Sequence, residues 1–147
     1  MLECGRLLIR DAESADSRAI LDATTDRTLG SARRVRLRSW LPIWRILEVR
    51  EADDAPLVFT VERIFSLARR FIVRDADGRS LGMLIGSMIV SPAGHLISFR
   101  DSESTMRDID GRALARVSRT LAGTEIDFAV ATDPFIRMLL LAAVLRS

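Results

Sequence analysis

The end of the chain constrains the fold most. From Phe135 to Leu145 every residue but Arg137 is apolar, and the run is preceded by Asp133, which can cap a helix, and Pro134, which suits a first helical position. A helix on the surface of a globular protein keeps a polar side for water. This one has none, so it must be enclosed. About 11 residues at 1.5 Å each rise only ~16 Å, against ~30 Å for a bilayer core, so the segment is too short to cross a membrane as a straight helix. The likeness to a plug rather than a span suggests the middle of the domain as its place. Burying Phe135, Ile136, Met138, Leu139, Leu140, Leu141, Val144 and Leu145 on all sides contributes on the order of 10 to 20 kcal/mol gross, before the entropy of ordering is subtracted. Arg137 lies one turn beyond Asp133 and is expected to pair with it near the mouth of the core.

The residues before this segment must supply the enclosure. Between Arg6 and Thr132 apolar residues come in short runs, broken every ten or so positions by Asp, Gly, Ser or Thr clusters, which is the rhythm of many short antiparallel strands. The clearest unit runs from Arg70 to Ile85, with Asp77-Gly78 supplying the left-handed turn of a tight hairpin. Similar units recur from Ile46 to Asp54 and from Met106 to Leu114, with a weaker one from Leu7 to Ala12, so the chain reads as a degenerate array of hairpins. Glu125 to Val130 alternates large apolar with small or polar side chains, and Val35 and Leu37 alternate with Arg34, Arg36 and Arg38. Two stretches fit a helical stripe equally well: Ile64, Leu67, Ala68 and Phe71, and Leu114, Val117 and Leu121.

At 147 residues the chain has the length of one domain, and 48% hydrophobic beside 29% charged residues is the balance of a folded protein. All 22 basic residues are Arg; the formal charge of +2 is too small to name a partner. A single cysteine, Cys4, excludes an intramolecular disulfide and any metal site built on paired thiolates. The N-terminus carries an acid and no long apolar stretch, so it does not read as a secretory signal. A cytoplasmic location, at most peripheral to a membrane, is expected.

The meandering strands, the aliphatic-x-aliphatic-x-Asp-x-x-Gly hairpin motif and the final apolar helix together resemble the tubby C-terminal-like superfamily, within it the LURP-one-related and phospholipid-scramblase-like branch. The residues that carry the likeness are Glu62 to Leu67 running into Arg70 to Gly78, then the Asp133-Pro134-Phe135 helix start. The resemblance implies an all-β fold: an antiparallel closed barrel of about twelve strands over residues 1–147, around a buried apolar helix at about 134–145. It also implies that both ambiguous stretches are mainly strand. Members of that superfamily divide between phosphoinositide readers and proteins linked to lipid movement and Ca²⁺. This chain has no Cys cluster for a lipid anchor. Asp101 to Thr105 lacks the loop glycine and the closing glutamate of an EF-hand-like site. No calcium, other metal or cofactor is expected, and scrambling is not expected.

Catalysis finds little material. His95 is the only histidine and sits in a turn-like Ser91 to His95 stretch with no assignable nucleophile. Gly78, Gly82 and Gly86 form no phosphate loop and are better read as turn and bulge residues. The constellation with partner-binding chemistry is Arg33 to Arg45: Arg34, Arg36 and Arg38 fall on one face of a strand, taken as the outward one, followed by Trp40 and Trp44, which suit a membrane interface. Guanidinium forks bind phosphate oxygens bidentately. The bland alternative is a solvated strand whose arginines pair with carboxylates while the two tryptophans enter the core. The expected function is a non-enzymatic binding module for an anionic lipid headgroup or apolar lipid moiety, with Arg34, Arg36, Arg38, Trp40 and Trp44 as lipid-binding residues. Its rival is a protein-interaction scaffold of the same fold; nucleic acid is chemically possible but is not the expected partner.

Overall fold

A computed structural model describes residues 1–12, 14, 16–36, 45–52, 56–64, 69–94, 96–98 and 104–146. Twelve strands form a closed antiparallel barrel: β1 (Arg6–Asp11), β2 (Ser17–Asp22), β3 (Thr28–Arg36), β4 (Arg45–Glu51), β5 (Leu57–Ile64), β6 (Arg70–Asp75), β7 (Ser80–Ile85), β8 (Met88–Val90), β9 (Leu96–Ser98), β10 (Thr105–Asp108), β11 (Ala113–Thr120) and β12 (Gly123–Phe128). Each strand pairs with its sequence neighbours, and β1 closes the ring on β12 through Arg6 to Ile9 opposite Asp127 to Thr124. The helix α1 (Pro134–Arg146) follows, one residue longer than the apolar pattern indicates. Ile64 belongs to β5 and Phe71 to β6, and Leu114 and Val117 belong to β11. Leu67, Ala68 and Phe65 fall outside the described residues.

The hairpin array is visible as a repeated turn. In Arg74-Asp75-Ala76-Asp77-Gly78-Arg79 the Arg79 N–H donates to Asp75 Oδ1 at 2.8 Å, and the Arg74 guanidinium donates to the Gly78 carbonyl at 3.1 Å. Arg107-Asp108-Ile109-Asp110-Gly111-Arg112 makes the same two bonds, from Arg112 to Asp108 at 2.8 Å and from Arg107 to Gly111 at 2.8 Å. Gly78 and Gly111 both sit at φ +79°, a left-handed conformation that a side chain would strain. The pairings β2–β3, β4–β5, β6–β7 and β10–β11 each shift register by a bulge close to the turn. A bulge adds twist to the strand that carries it. Repeated on the same side of successive hairpins, it bends a sheet of short strands into a ring.

The inward positions make one core. Leu7, Ile20, Val49, Phe59, Val73, Leu84, Ile89, Ile97, Met106 and Ile126 are all buried and pack around Leu139 to Leu145, which is buried without a break. Unbroken burial over seven residues is what a helix with no polar face requires. Gly82 marks its close passage: a Cβ there would stand 2.5 Å from the Val90 carbonyl and 3.1 Å from a Leu139 methyl.

The first turn of the helix departs from expectation. Phe135 is 56% exposed, and Ile136 and Met138 are only half buried, because these positions lie where the helix enters the barrel. Asp133 does cap, accepting the Phe135 N–H at 2.8 Å. Its side chain does not pair with Arg137. The Arg137 guanidinium is buried instead, donating to the carbonyls of Thr132 (3.0 Å), Leu2 (2.8 Å) and Cys4 (3.3 Å) and lying 5.4 Å from the centre of the Phe128 ring. Three carbonyls that no strand satisfies are worth more to a buried guanidinium than one solvated carboxylate, and the arginine thereby ties the N-terminal segment to the helix.

Candidate functional site at the barrel mouth

In a closed meander of antiparallel strands, all odd-numbered strands run toward one end and all even-numbered strands toward the other. The helix finishes at the end where β7 finishes, since Arg146 donates to the Gly86 carbonyl at 2.8 Å just after β7. The two ends differ in charge. Four even-numbered strands finish on a carboxylate, Asp22, Glu51, Asp75 and Asp108, at the end where the helix begins. At the opposite end β3 finishes on Arg36, and β4 and β6 begin on Arg45 and Arg70, while β1 finishes there on Asp11, which pairs with Arg18 at 3.2 Å. The arrangement suits the helix dipole, whose N-terminus favours anions and whose C-terminus favours cations.

That basic end opens as a cavity of about 180 Å³ lined by Arg34, Leu47, Val61, Phe71, Leu145 and Arg146. Strand register explains the set. Arg34 is opposite Leu47, and Leu47 is opposite Val61, so the three lie in one row across β3, β4 and β5. Two residues earlier along β3, the buried Ala32 is opposite the buried Val49. Arg34 has the parity of Ala32 and belongs to the inner face of the barrel, not to an outer wall. It is exposed because it sits beyond the last apolar layer, where the inner face meets solvent. Arg63, opposite Phe71, repeats the pattern on β5. Arg36 is directly opposite Arg45 in the β3–β4 register.

The two cations on the cavity rim differ in how they are held. Arg146 is fixed by its bond to Gly86 and stacks 5.2 Å from the centre of the Phe71 ring. Arg34 is bonded through its backbone N–H to the Asp16 carbonyl at 2.8 Å, while its guanidinium has no partner among the described residues and stands in solvent. Beneath them Leu145 and Val61 are buried and Leu47 and Phe71 half buried, giving an apolar floor. The helix C-terminus contributes about half a negative charge, partly answered by Arg18, which donates to the Leu145 carbonyl at 3.0 Å. Around it stand the guanidiniums of Arg34, Arg63 and Arg146. The β11–β12 turn lies at this same end and carries Leu121, which is completely exposed.

Of the residues singled out in the sequence, Arg34 is at the rim and Arg36 ends β3 beside it. Arg38, Trp40 and Trp44 lie outside the described residues, as do His95 and Asp101 to Glu103. Leu47, Val61, Phe71, Leu145, Arg63 and Arg146 were not legible as site residues. Arg146 alone gave a local signal, a basic residue in the last turn of a helix.

Elsewhere, Cys4 is half buried against the core, and burial, reinforced by the nearby Asp22 carboxylate, pushes its thiol above the ordinary range. Asp22 is held below the usual carboxylate range by the Thr24 N–H, at 2.8 Å from Oδ1, and by Thr25. Among the described residues no three His, Cys, Asp or Glu side chains are grouped to hold a metal. No described helix is long and apolar enough to cross a membrane. No family model matches the sequence, and no similar curated protein or solved structure is found.

Proposed function

We propose that this barrel is a non-enzymatic binding module for anionic lipid, meeting the membrane surface with the end at which the helix finishes. The observation that carries the proposal is the cavity at that end, where Arg34 and Arg146 stand over a floor of Leu47, Val61, Phe71 and Leu145. A cationic rim above an apolar floor matches a molecule with an anionic head and an apolar body, and guanidinium forks suit phosphate or carboxylate oxygens. The carboxylates that close the even-numbered strands lie at the opposite end and would be repelled from an anionic surface, which favours one orientation. The fully exposed Leu121 on the same end offers an apolar contact at the interface. The same pattern agrees with the lipid-binding role that the likeness to tubby-like and scramblase-like proteins implies.

Co-sedimentation with liposomes tests the proposal. Vesicles containing phosphatidylglycerol should retain the protein at low salt and release it at high salt, and phosphatidylcholine vesicles should not bind. Each arginine near an anionic surface contributes about 1 kcal/mol, so replacing Arg34, Arg36 and Arg38 together by Ala should weaken binding by roughly two orders of magnitude. Equal binding by both proteins, or no wild-type binding at low salt, would favour a protein-interaction scaffold instead.

A further inference from the structure

We infer, building on that lipid-binding role, that the mouth cavity takes a single-chain anionic amphiphile as a monomer. Its head would lie between Arg34 and Arg146 and about six carbons of its chain against Leu47, Val61, Phe71 and Leu145. Three observations carry this beyond surface attraction.

First, the size is matched to one short chain segment. The cavity measures about 180 Å³, and an apolar cavity of about 150 Å³ accommodates a six-carbon ring. One alkyl segment fills that space, whereas a bare inorganic anion would leave the floor uncovered.

Second, the lining is segregated. Among the described residues the floor is formed by apolar side chains alone, and the polar side chains of the lining are the two guanidiniums. A ligand seated head-outward buries its chain without stranding any charge, whereas the reverse orientation would leave an anion against Val61 and Leu145.

Third, the site is built before the ligand arrives. Arg146 is held by Gly86 and by the Phe71 ring, and Leu145 and Val61 belong to the rigid core. Only the Arg34 guanidinium, exposed and without a partner among the described residues, must be ordered by the head group, so the cost of organising the site is small.

A chain-length series tests the inference on the intact chain. Alkyl phosphates from ethyl to dodecyl, each below its micelle concentration, are titrated by calorimetry or by NMR shifts. Vesicle co-sedimentation is run on the same preparation. Affinity should rise roughly fourfold per methylene as the chain lengthens to about six carbons and then level off, because further carbons extend into water. Hexanol, lacking the anion, should bind at least tenfold more weakly than hexyl phosphate, and Arg34→Ala should remove most of that difference. Leu47→Trp should fill the cavity and abolish the chain-length dependence. Val61→Phe serves the same purpose should the first variant not fold. Vesicle binding without any monomer binding, or monomer binding indifferent to chain length, would overturn the inference and leave headgroup attraction at the surface intact. Failure of vesicles and monomers alike would overturn both.

Discussion

Leu140→Ala tests the idea that the helix is a plug the barrel cannot do without. Leu140 is 0% exposed and sits mid-helix, between Leu139 and Leu141, which are equally buried. Removing three carbons forfeits about 2.4 kcal/mol of transfer free energy at ~0.8 kcal/mol per carbon. The surroundings then decide the rest. A sheet closed on itself by β1 and β12 has no free edge along which to collapse, so a cavity on the order of 80 Å³ should persist and cost about 2 kcal/mol more at ~24 cal/mol per Å³. The sum, about 4 kcal/mol, lies in the upper part of the range for such substitutions. With a urea dependence of about 2 kcal/mol per molar, the unfolding midpoint should fall by roughly 2 M. Leu121→Ala, at a side chain left fully exposed, should move it by less than about 0.3 M. Equal shifts for the two variants would refute the plug. Leu140→Asp, which forces an unpaired charge inside, should give an insoluble or molten chain.

Gly82→Ala should destabilise markedly, because its Cβ would meet the Val90 carbonyl at 2.5 Å, whereas Gly78→Ala meets open space and should lose only about 1 kcal/mol to its left-handed backbone, both read by thermal melting. Arg137→Met should leave the carbonyls of Thr132, Leu2 and Cys4 unsatisfied, costing about 1 to 3 kcal/mol each where water cannot enter, and should speed amide exchange in residues 1–5 before the rest of the barrel. Because the folded-state pKa of Asp22 is depressed, its stabilising effect is present above the unfolded value of about 3.9 and is lost as pH falls through the folded value. Asp22→Asn should therefore flatten the low-pH limb of a stability curve and leave its dependence between about pH 5 and 7 unchanged. Cys4, with its thiol pushed up by burial, should be alkylated more slowly at neutral pH than in the urea-unfolded chain.

What the sequence made legible was whatever is local. The Asp77-Gly78 turn, the Asp133 cap and the apolar run from Pro134 onward each carry their signal within a few residues, and each is present in the fold. The partner of Arg137 was not local. Asp133 is four positions away, but the carbonyls of Leu2 and Cys4 reach the guanidinium only because the ring closes. The sidedness of Arg34 failed for a related reason. Alternation separates two faces of a strand without saying which is inner, and at a barrel rim the inner face is wet, so cations there look like an outer wall. The cavity is assembled from β3, β4, β5, β6 and the end of α1, and register among strands so far apart in sequence cannot be read from spacing.

Which end of the barrel meets an anionic membrane is the central question, and paramagnetic broadening answers it most directly. Isotope-labelled protein is mixed with nanodiscs rich in phosphatidylglycerol that carry a trace of lipid with a nitroxide on its head group. The amide signals of Arg34, Leu47, Phe71, Gly86 and Leu121, all at the end where the helix finishes, should broaden. Those of Gly78, Gly111 and Asp133, at the carboxylate-rich end, should stay sharp. Broadening at Gly78 and Gly111 instead, or none anywhere at low salt, would contradict the placement of the lipid site at the barrel mouth.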